Sequence, residues 1–241
     1  MRKVYIFDIV ICLLVLVFLS GAKANARTYT TNFPLSEDPI SEGGNWINGG
    51  TTGLDWKNFV TTSGLAYGKP NTVSYDDGTA ILSGAWMADQ DVTATIHSVN
   101  QTDSQYQELE LRLRTSITPH SITGYEINFR CSKTSNAYLE IVRWNGPLGN
   151  FTYLAQYSGS QYGVIEGDVV RATIVGNTIT VYINGVQRGT ATDGTYSSGA
   201  PGIGTYGKTP ANATNYGFTS FTASDGIGAR PSAPEKLRIL P

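Results

Sequence analysis

The stretch that decides the fold is Gln107-Glu108-Leu109-Glu110-Leu111-Arg112-Leu113-Arg114. Leucine stands at every second position from 109 to 113, and charged side chains stand between and around the leucines. Successive side chains of a β-strand point to opposite faces, so this run has one apolar face and one charged face. Such alternation is typical of an antiparallel strand with one face on the core, and we predict that the three leucines point inward.

Two further runs with the same period follow along the chain. From Tyr125 to Cys131, every second side chain from the tyrosine onward is apolar or weakly polar, and we predict that these side chains point inward. From Tyr138 to Trp144, we predict that Leu139 and Ile141 point inward. If the three strands are neighbours, their opposite faces form one continuous polar surface.

Turn signals separate short strands over the rest of the chain. Asn184-Gly185 is the strongest of them, because both residues tolerate positive φ between two apolar runs. Gly176-Asn177 and Asp76-Asp77-Gly78 are interpreted as turns of the same kind. The remaining predicted strands are 73–75, 79–83, 91–99, 169–175, 178–183, 187–192 and 216–223. Many short strands with regularly spaced turns predict an all-β fold, a two-sheet antiparallel β-sandwich.

The first residues have the order of charges and apolar residues that is typical of a signal peptide. Arg2 and Lys3 precede an apolar run, and Ala24-Asn25-Ala26 supplies a small-residue cleavage motif. We predict that residues 1–26 are removed before Arg27 and that the protein is secreted, to the extracellular space or the periplasm. We expect no stable membrane insertion after signal cleavage. The domain boundaries that follow are a β-sandwich at 27–225 and a flexible, Pro- and Gly-containing tail at 226–241.

The net charge limits which partners the protein can bind, and the cysteine content limits how its fold can be stabilised. The chain has 17 basic and 19 acidic side chains, and removal of the signal peptide leaves a net charge of about −4. We therefore expect no nucleic-acid partner, since no basic patch is present to bind phosphates. Cys131 is the one cysteine of the mature part, so the domain depends on its apolar core and not on a disulfide.

Several segments resemble a known superfamily. They are the hairpin from Gly167 to Gly185, Thr192-Asp193, the run from Gly199 to Gly204, the closing strand from Phe218 to Phe221, and Asn32-Phe33 with Gly44-Asn45-Trp46. They look like the laminin G-like and concanavalin A-like jelly-roll domains of secreted bacterial proteins. The resemblance implies a concanavalin A-like jelly roll. It does not imply one function, because this architecture serves lectins, carbohydrate-binding modules, glucanases, polysaccharide lyases and adhesive spacers.

The polar face of the three central strands is the candidate ligand-binding surface, and we expect it to be open to solvent. Planar polar groups beside aromatic rings are typical of sugar-binding surfaces. The alternative is a solvated sheet whose cross-strand ion pairs have no further role. The predicted ligand-binding residues are Glu110, Arg112, Arg114, Glu126, Asn128, Arg130, Tyr138, Glu140 and Trp144.

The sequence assigns no catalytic residue. The Glu-x-Asp-x-x-Glu strand of the glucanase relatives is missing, and Glu108 and Glu110 are followed by Arg112 and Arg114, which would keep both acids ionised. The leading hypothesis is a non-catalytic carbohydrate-binding or cell-surface adhesive module. The alternatives are an extracellular polysaccharide lyase or glycoside hydrolase that uses the same face, and a purely structural extracellular domain.

The residues leave the class of the bound glycan open. The family resemblance in addition implies a bound metal ion. Convergence of Arg112, Arg114 and Arg130 would favour an acidic polysaccharide, whereas Tyr138 and Trp144 would favour a neutral one. The resemblance implies a structural calcium ion near the first and last strands, where Asp225 and Asn32 are the candidate ligands. We expect no other cofactor.

Overall fold

The computed structural model describes residues 26–69, 76–101, 106–207 and 213–226. The predicted signal peptide, 1–26, and the predicted tail, 226–241, lie outside the described residues except for Ala26 and Gly226. Gly49–Thr52 forms a single helical turn, α1. The strands of the described part of the chain are β1 (Thr28–Thr31), β2 (Trp46–Asn48), β3 (Phe59–Thr62), β4 (Leu65–Gly68), β5 (Asp76–Leu82), β6 (Gln90–Ser98), β7 (Glu108–Thr118), β8 (Ser121–Arg130), β9 (Tyr138–Gly146), β10 (Phe151–Ser158), β11 (Val169–Val175), β12 (Thr178–Ile183), β13 (Val186–Thr192), β14 (Ala200–Gly207) and β15 (Tyr216–Asp225).

The strands form two antiparallel sheets that pack face to face. The first sheet has the order β13-β12-β11-β6-β15-β4-β3, and β1 pairs with β15 beside this path. The second sheet has the order β10-β9-β8-β7-β14-β5-β2. The predicted two-sheet antiparallel sandwich is therefore confirmed, and β7, β8 and β9 are direct neighbours. In the described part of the chain, no helix is both long enough and apolar enough to cross a membrane.

The core lies between the sheets and contains the side chains that the alternation assigns to it. Leu109, Leu111 and Leu113 are fully buried, as are Ile127 and Phe129 on the neighbouring strand β8. The first sheet contributes a matching set of buried aliphatic and aromatic side chains. The period-two pattern thus identifies the inner faces of these strands correctly, because alternation of side chains is a local property of the extended backbone.

Of two predicted turns, the structure confirms one and contradicts the other. Asn184 and Gly185 both have positive φ and connect β12 to β13, as predicted. The predicted turn at Asp76-Asp77-Gly78 is wrong, because all three residues lie within β5 and pair with β14. Gly78 permits a close approach there, since an added Cβ would lie 2.8 Å from Thr205 Oγ1. The predicted strand at 73–75 lies outside the described residues.

A loop covers part of the second sheet on the side away from the core. Trp56, which follows α1, contacts the ring of Trp144 of β9 at a centroid distance of 4.7 Å and lies over Arg112 of β7 at 4.8 Å. These rings belong to a second, small apolar cluster, separate from the main core. We call the side of β7, β8 and β9 that this loop partly covers the polar face.

Candidate functional site

A cavity of about 550 Å³ lies over the polar face, beside the region that Trp56 covers. Its floor comes from β7, β8 and β9, and its walls come from β5, β10, β14 and the segments before β7 and β10. The lining residues are Asp77, Tyr106, Glu108, Glu110, Glu126, Asn128, Tyr138, Glu140, Val142, Trp144, Leu148, Gly149, Phe151, Tyr153 and Tyr206.

The polar face is not the open, solvated surface that the sequence predicts. Glu110 is 1% exposed, Arg112 is 0% exposed and Glu126 is 5% exposed. The loop with Trp56 and the aromatic walls close this face, so its charged groups bond to one another and not to bulk water. Period-two alternation separates the two faces of a strand but does not show what packs on the second face.

Arg112 links two carboxylates of the cavity floor. Its Nη1 donates to Oε2 of Glu126 at 2.6 Å, and its Nη2 donates to Oε2 of Glu110. The indole Nε1 of Trp144 donates to the same oxygen of Glu126 at 2.6 Å. Charge-assisted hydrogen bonds of this kind are stronger than neutral ones, so these side chains are held in fixed positions before any ligand binds.

Glu108 is buried, and among the described residues no arginine bonds to its carboxyl group. Asn128 Nδ2 donates to its Oε2 at 2.7 Å, and the Tyr138 hydroxyl donates to its Oε1. Burial raises the pKa of Glu108 to about 8, and these two hydrogen bonds oppose the shift only in part. The expectation that nearby arginines keep Glu108 ionised is therefore wrong, and this carboxyl group keeps a proton at neutral pH.

Two more carboxyl groups of the floor have perturbed pKa values. Burial raises the pKa of Glu110 well above its ordinary value and the negative charge of Glu126 adds to the shift, whereas Arg112, which bonds to both acids, opposes it. Burial also raises the pKa of Glu140, whose Oε1 accepts a hydrogen bond from Gln156 Nε2 at 2.8 Å. Several desolvated acids side by side disfavour full ionisation of the group.

The three arginines predicted for this surface do not converge on a ligand. Arg112 lies beneath Trp56, and Arg130 is 2% exposed with its guanidinium over the Tyr106 and Tyr138 rings at 4.8 Å and 6.0 Å. The prediction that Arg114 lies on this face is wrong. Its Nε, Nη1 and Nη2 donate to the carbonyl oxygens of residues 88, 196 and 176.

A β-bulge explains the position of Arg114. The pairing of β7 with β8 shifts by one residue between Leu113 and Ser116, and Arg114 has a φ of +45°. The extra residue ends the strict alternation, so Arg114 turns away from the face that carries Arg112. Gly124 lies opposite the bulge, and an added Cβ there would come within 2.6 Å of the Arg114 carbonyl oxygen.

Exposed aromatic side chains form the rim of the cavity. Phe151 contacts Trp144 at 5.1 Å and Tyr153 at 5.2 Å between ring centroids, and both rim residues are partly exposed. Tyr106 and Leu148 are also exposed at the edge. Sequence reasoning missed these residues, although Phe151 and Tyr153 repeat at period two directly after the Trp144 strand and could have been found.

The predicted residues therefore divide into three groups. Glu110, Glu126, Asn128, Tyr138, Glu140 and Trp144 line the cavity. Arg112 and Arg130 are buried side chains of the same face that do not belong to the cavity lining, and Arg114 lies elsewhere. Besides the rim, Asp77, Glu108 and Tyr206 line the cavity without having been predicted as ligand-binding residues.

The two calcium candidates lie at the first and last strands. The carboxylate of Asp225 accepts the backbone N–H of Arg27 at 2.6 Å and that of Met87 at 2.8 Å, and Asn32 is exposed. Within the described ranges, no group of three or more His, Cys, Asp or Glu side chains is arranged to hold a metal ion. Calcium binding by Asp225 and Asn32 stays a prediction.

Comparison with known proteins shows the fold. The chain is similar to the carbohydrate-binding module CBM66 from Bacillus subtilis, with 13% identity, a TM-score of 0.51, and 78% of this chain and 96% of that chain covered. It is similar to the potassium-bound carbohydrate recognition domain of Emp46p, with 11% identity, a TM-score of 0.57, and 82% and 96% covered. A legume lectin-like domain from Entamoeba histolytica matches with 10% identity, a TM-score of 0.50, and 79% and 96% covered.

These neighbours place the architecture among the concanavalin A-like jelly rolls, as the sequence resemblance implies. No protein-family model matches the sequence, and a search of curated proteins found no significant relative. At identities this low the likeness concerns the fold alone. The function has to be argued from the cavity.

Proposed function

We propose that the protein is a secreted carbohydrate-binding module that holds a glycan in the cavity over β7, β8 and β9. The observation that carries the proposal is one cavity with fixed carboxyl and amide groups on its floor and exposed aromatic rings on its rim. A largely preformed pocket with a few oriented polar groups is the usual form of a small-ligand site. Secretion rests on the predicted signal peptide.

The floor supplies hydrogen-bond acceptors for sugar hydroxyl groups. Glu126 is held by Arg112 and Trp144, and Glu108 is held by Tyr138 and Asn128. Because internal hydrogen bonds already fix these side chains, a ligand orders few additional groups when it binds. Preorganisation of this kind reduces the entropic cost of association.

The rim supplies flat apolar surfaces for the C–H faces of a pyranose ring. Phe151 and Tyr153 follow Trp144 in an unbroken series of ring contacts that leads from the buried floor to the exposed edge. Aromatic side chains combine a large contact area with a polar tip in the case of tyrosine. An extended glycan can therefore lie along β10 with one residue in the cavity.

The proposal disfavours an acidic polysaccharide, one of the two glycan classes that the sequence leaves open. Bidentate binding of a sugar carboxylate requires exposed guanidinium groups. Arg112 and Arg130 are buried, and Arg114 donates to three backbone carbonyl groups. A uronate would instead meet the carboxyl groups of the cavity floor.

A glycan array followed by titration calorimetry tests the proposal. Tyr153→Ala removes an exposed rim ring and should weaken binding by about tenfold or more, which is about 1.4 kcal/mol. Tyr182→Ala, on the first sheet, is the matched control and should bind like the wild type. Absence of binding across all glycan classes, or equal affinities for the two variants, would contradict the proposal.

The same cavity gives specific support to one alternative, a glycoside hydrolase. A buried carboxyl group with a pKa of about 8, as at Glu108, keeps the proton that a general acid donates to a leaving oxygen. Release of reducing ends from any bound polymer, abolished in Glu108→Gln while binding persists, would establish hydrolysis. If a bound glycan is incubated with the protein for days and neither new reducing ends nor unsaturated uronate products form, binding is the function.

A further inference from the structure

The lining of the cavity is strongly acidic. Five carboxyl side chains line it, and no lysine, arginine or histidine does so among the residues that the structure describes. They are Asp77, Glu108, Glu110, Glu126 and Glu140. Such a lining attracts cations and repels anions, and the effect is larger in a partly closed cavity than on an open surface.

The arginines beneath the floor do not balance these acids. Arg112 divides its guanidinium between Glu110 and Glu126, and its other face is covered by Trp56. Arg130 lies between two tyrosine rings. With Glu108 protonated, four other carboxyl groups of the lining lie near these two buried arginines, and neither arginine is exposed to a ligand.

A buried amide oxygen of the cavity, Oδ1 of Asn128, has an unsatisfied hydrogen-bonding capacity, which is an observation independent of charge. The side chain of Asn128 lines the cavity and is 5% exposed, and its Oδ1 has no hydrogen-bond partner within the described residues. In this structure the Nδ2 of the same amide donates to Glu108, and Oδ1 is the acceptor that has no donor among the described residues. A buried acceptor without a donor is rare in folded proteins and points to a missing partner.

The strand register places this acceptor between two acids. Asn128 of β8 pairs with Glu110 of β7 on one side and with Glu140 of β9 on the other. Paired residues of adjacent antiparallel strands have their side chains about 5 Å apart on the same face. Three acceptor groups therefore form one row across the cavity floor, and we call Glu110, Asn128 and Glu140 the acceptor row.

We propose that the acceptor row binds the ammonium group of an amino sugar, so that the ligand is a polymer of 2-amino-2-deoxy-hexose units. An ammonium group has three donors and no acceptor, which matches a row that offers only acceptors. Its positive charge also compensates carboxylates that are otherwise buried at a cost. Burial raises the pKa of Glu110 and of Glu140, and the charge of Glu126 adds to both shifts, so a cation beside these acids would be stabilised.

The inference rests on the proposed carbohydrate-binding function and narrows its ligand class. Acetylation of the amine replaces three donors by one and removes the charge, so an N-acetylated sugar loses most of the interaction with the acceptor row. A neutral sugar retains hydroxyl donors but brings no charge. A uronic acid brings a negative charge to a negative cavity. The predicted order of affinity is amino sugar, then neutral sugar, then uronate.

The test is calorimetric titration of the full mature chain with four tetrasaccharides at about pH 6, where an amine is protonated. The probes are the tetramers of glucosamine, N-acetylglucosamine, glucose and galacturonate. The glucosamine tetramer should bind at least about tenfold more tightly than its N-acetylated counterpart. Glu140→Gln keeps the shape of a partly exposed side chain and should remove most of this preference, whereas Glu166→Gln, an exposed acid on a loop, should retain it.

A tetralysine peptide separates site binding from general attraction between opposite charges. Binding of this peptide as tight as that of the glucosamine tetramer, with both lost in Glu140→Gln, would overturn the assignment of an amino sugar. Equal or tighter binding of the N-acetylated or neutral tetramer would overturn the inference and leave the carbohydrate-binding function intact. If none of the four saccharides binds, the inference and the proposed function both fail.

Discussion

Arg112 and Glu126 form an ion pair with an Nη1–Oε2 distance of 2.6 Å, and both side chains are buried although they lie on the outer face of the sheet. The same guanidinium also donates to Glu110, and the Trp56 ring covers it. The pair is therefore part of the interior of the protein, although it lies outside the main core. Under the proposed function, stability and ligand binding depend on the same buried polar network.

Removal of Arg112 should be strongly destabilising. Arg112→Ala leaves Glu110 and Glu126 buried without their shared cation, and loss of one partner from such a pair costs about 3–5 kcal/mol. Urea denaturation of the purified protein measures the change in the free energy of unfolding. Lys69→Ala is the control, because Lys69 and Asp38 form an exposed pair that should contribute less than about 1 kcal/mol. Equal effects of the two variants would show that the polar face is solvated after all.

The buried acid Glu108 should make stability depend on pH. Its pKa is about 8 in the folded protein and close to 4.5 in the unfolded chain, so the folded state holds the proton more tightly between these values. The free energy of unfolding should therefore fall as pH rises from about 5 to about 8, and each pKa unit corresponds to about 1.4 kcal/mol. Glu108→Gln is neutral in both states and should show a shallower decline.

Thermal denaturation at a series of pH values measures this difference. Burial also raises the pKa of Glu110 and of Glu140, so a part of the decline should remain in the variant. Asp38→Asn changes an exposed acid that pairs with a lysine and not with a histidine, and it should follow the wild-type curve over this pH range. Parallel curves for the wild type and Glu108→Gln would contradict a protonated Glu108 in the cavity.

The predicted signal cleavage should add an ion pair at the new N-terminus. The backbone nitrogen of Arg27 donates to Asp225 Oδ1 at 2.6 Å, and Asp225 is 4% exposed. Cleavage before Arg27 would convert this amide to an ammonium group, and a hydrogen bond between charged groups contributes about 1.5–3 kcal/mol. The chain that begins at Arg27 should therefore melt at a higher temperature than the same chain with an N-terminal acetyl group.

Asp225→Asn, made in both the free and the N-terminally acetylated chain, completes a double-mutant cycle. It should remove the difference between their melting temperatures. Sequencing of the N-terminus of the secreted protein should give Arg27 as the first residue. Identical midpoints for the free and acetylated N-termini would refute the ion pair, and a different first residue would refute the cleavage site.

The calcium expectation has its own test. A Ca²⁺ ion held by Asp225 and Asn32 would stabilise the folded state in proportion to the logarithm of its concentration. The predicted outcome is a higher melting midpoint of the wild type in Ca²⁺ than in a chelator, with no such difference in Asn32→Ala. If the wild-type midpoint is the same in both buffers, the calcium site is absent.

Much of the candidate site could be predicted from three strands. Glu110, Glu126, Asn128, Tyr138, Glu140 and Trp144 were found because alternation puts them on one face of neighbouring strands, and all six line the cavity. Arg114 could not be placed, because the bulge beside it breaks the alternation without a strong sequence signal. The rim was missed because Tyr106, Phe151 and Tyr153 reach the cavity from segments outside those strands.

The sequence by itself determined the central strands β7, β8 and β9 and their apolar faces, because side-chain alternation depends only on the local backbone. It did not predict β1 to β4, β10 or β14. It was nevertheless sufficient to predict the two-sheet sandwich. Only the tertiary structure decided that the polar face is closed, since Trp56 reaches Arg112 and Trp144 from a distant part of the chain. That packing removes water from the acids, raises their pKa values and turns a charged sheet face into an acidic cavity.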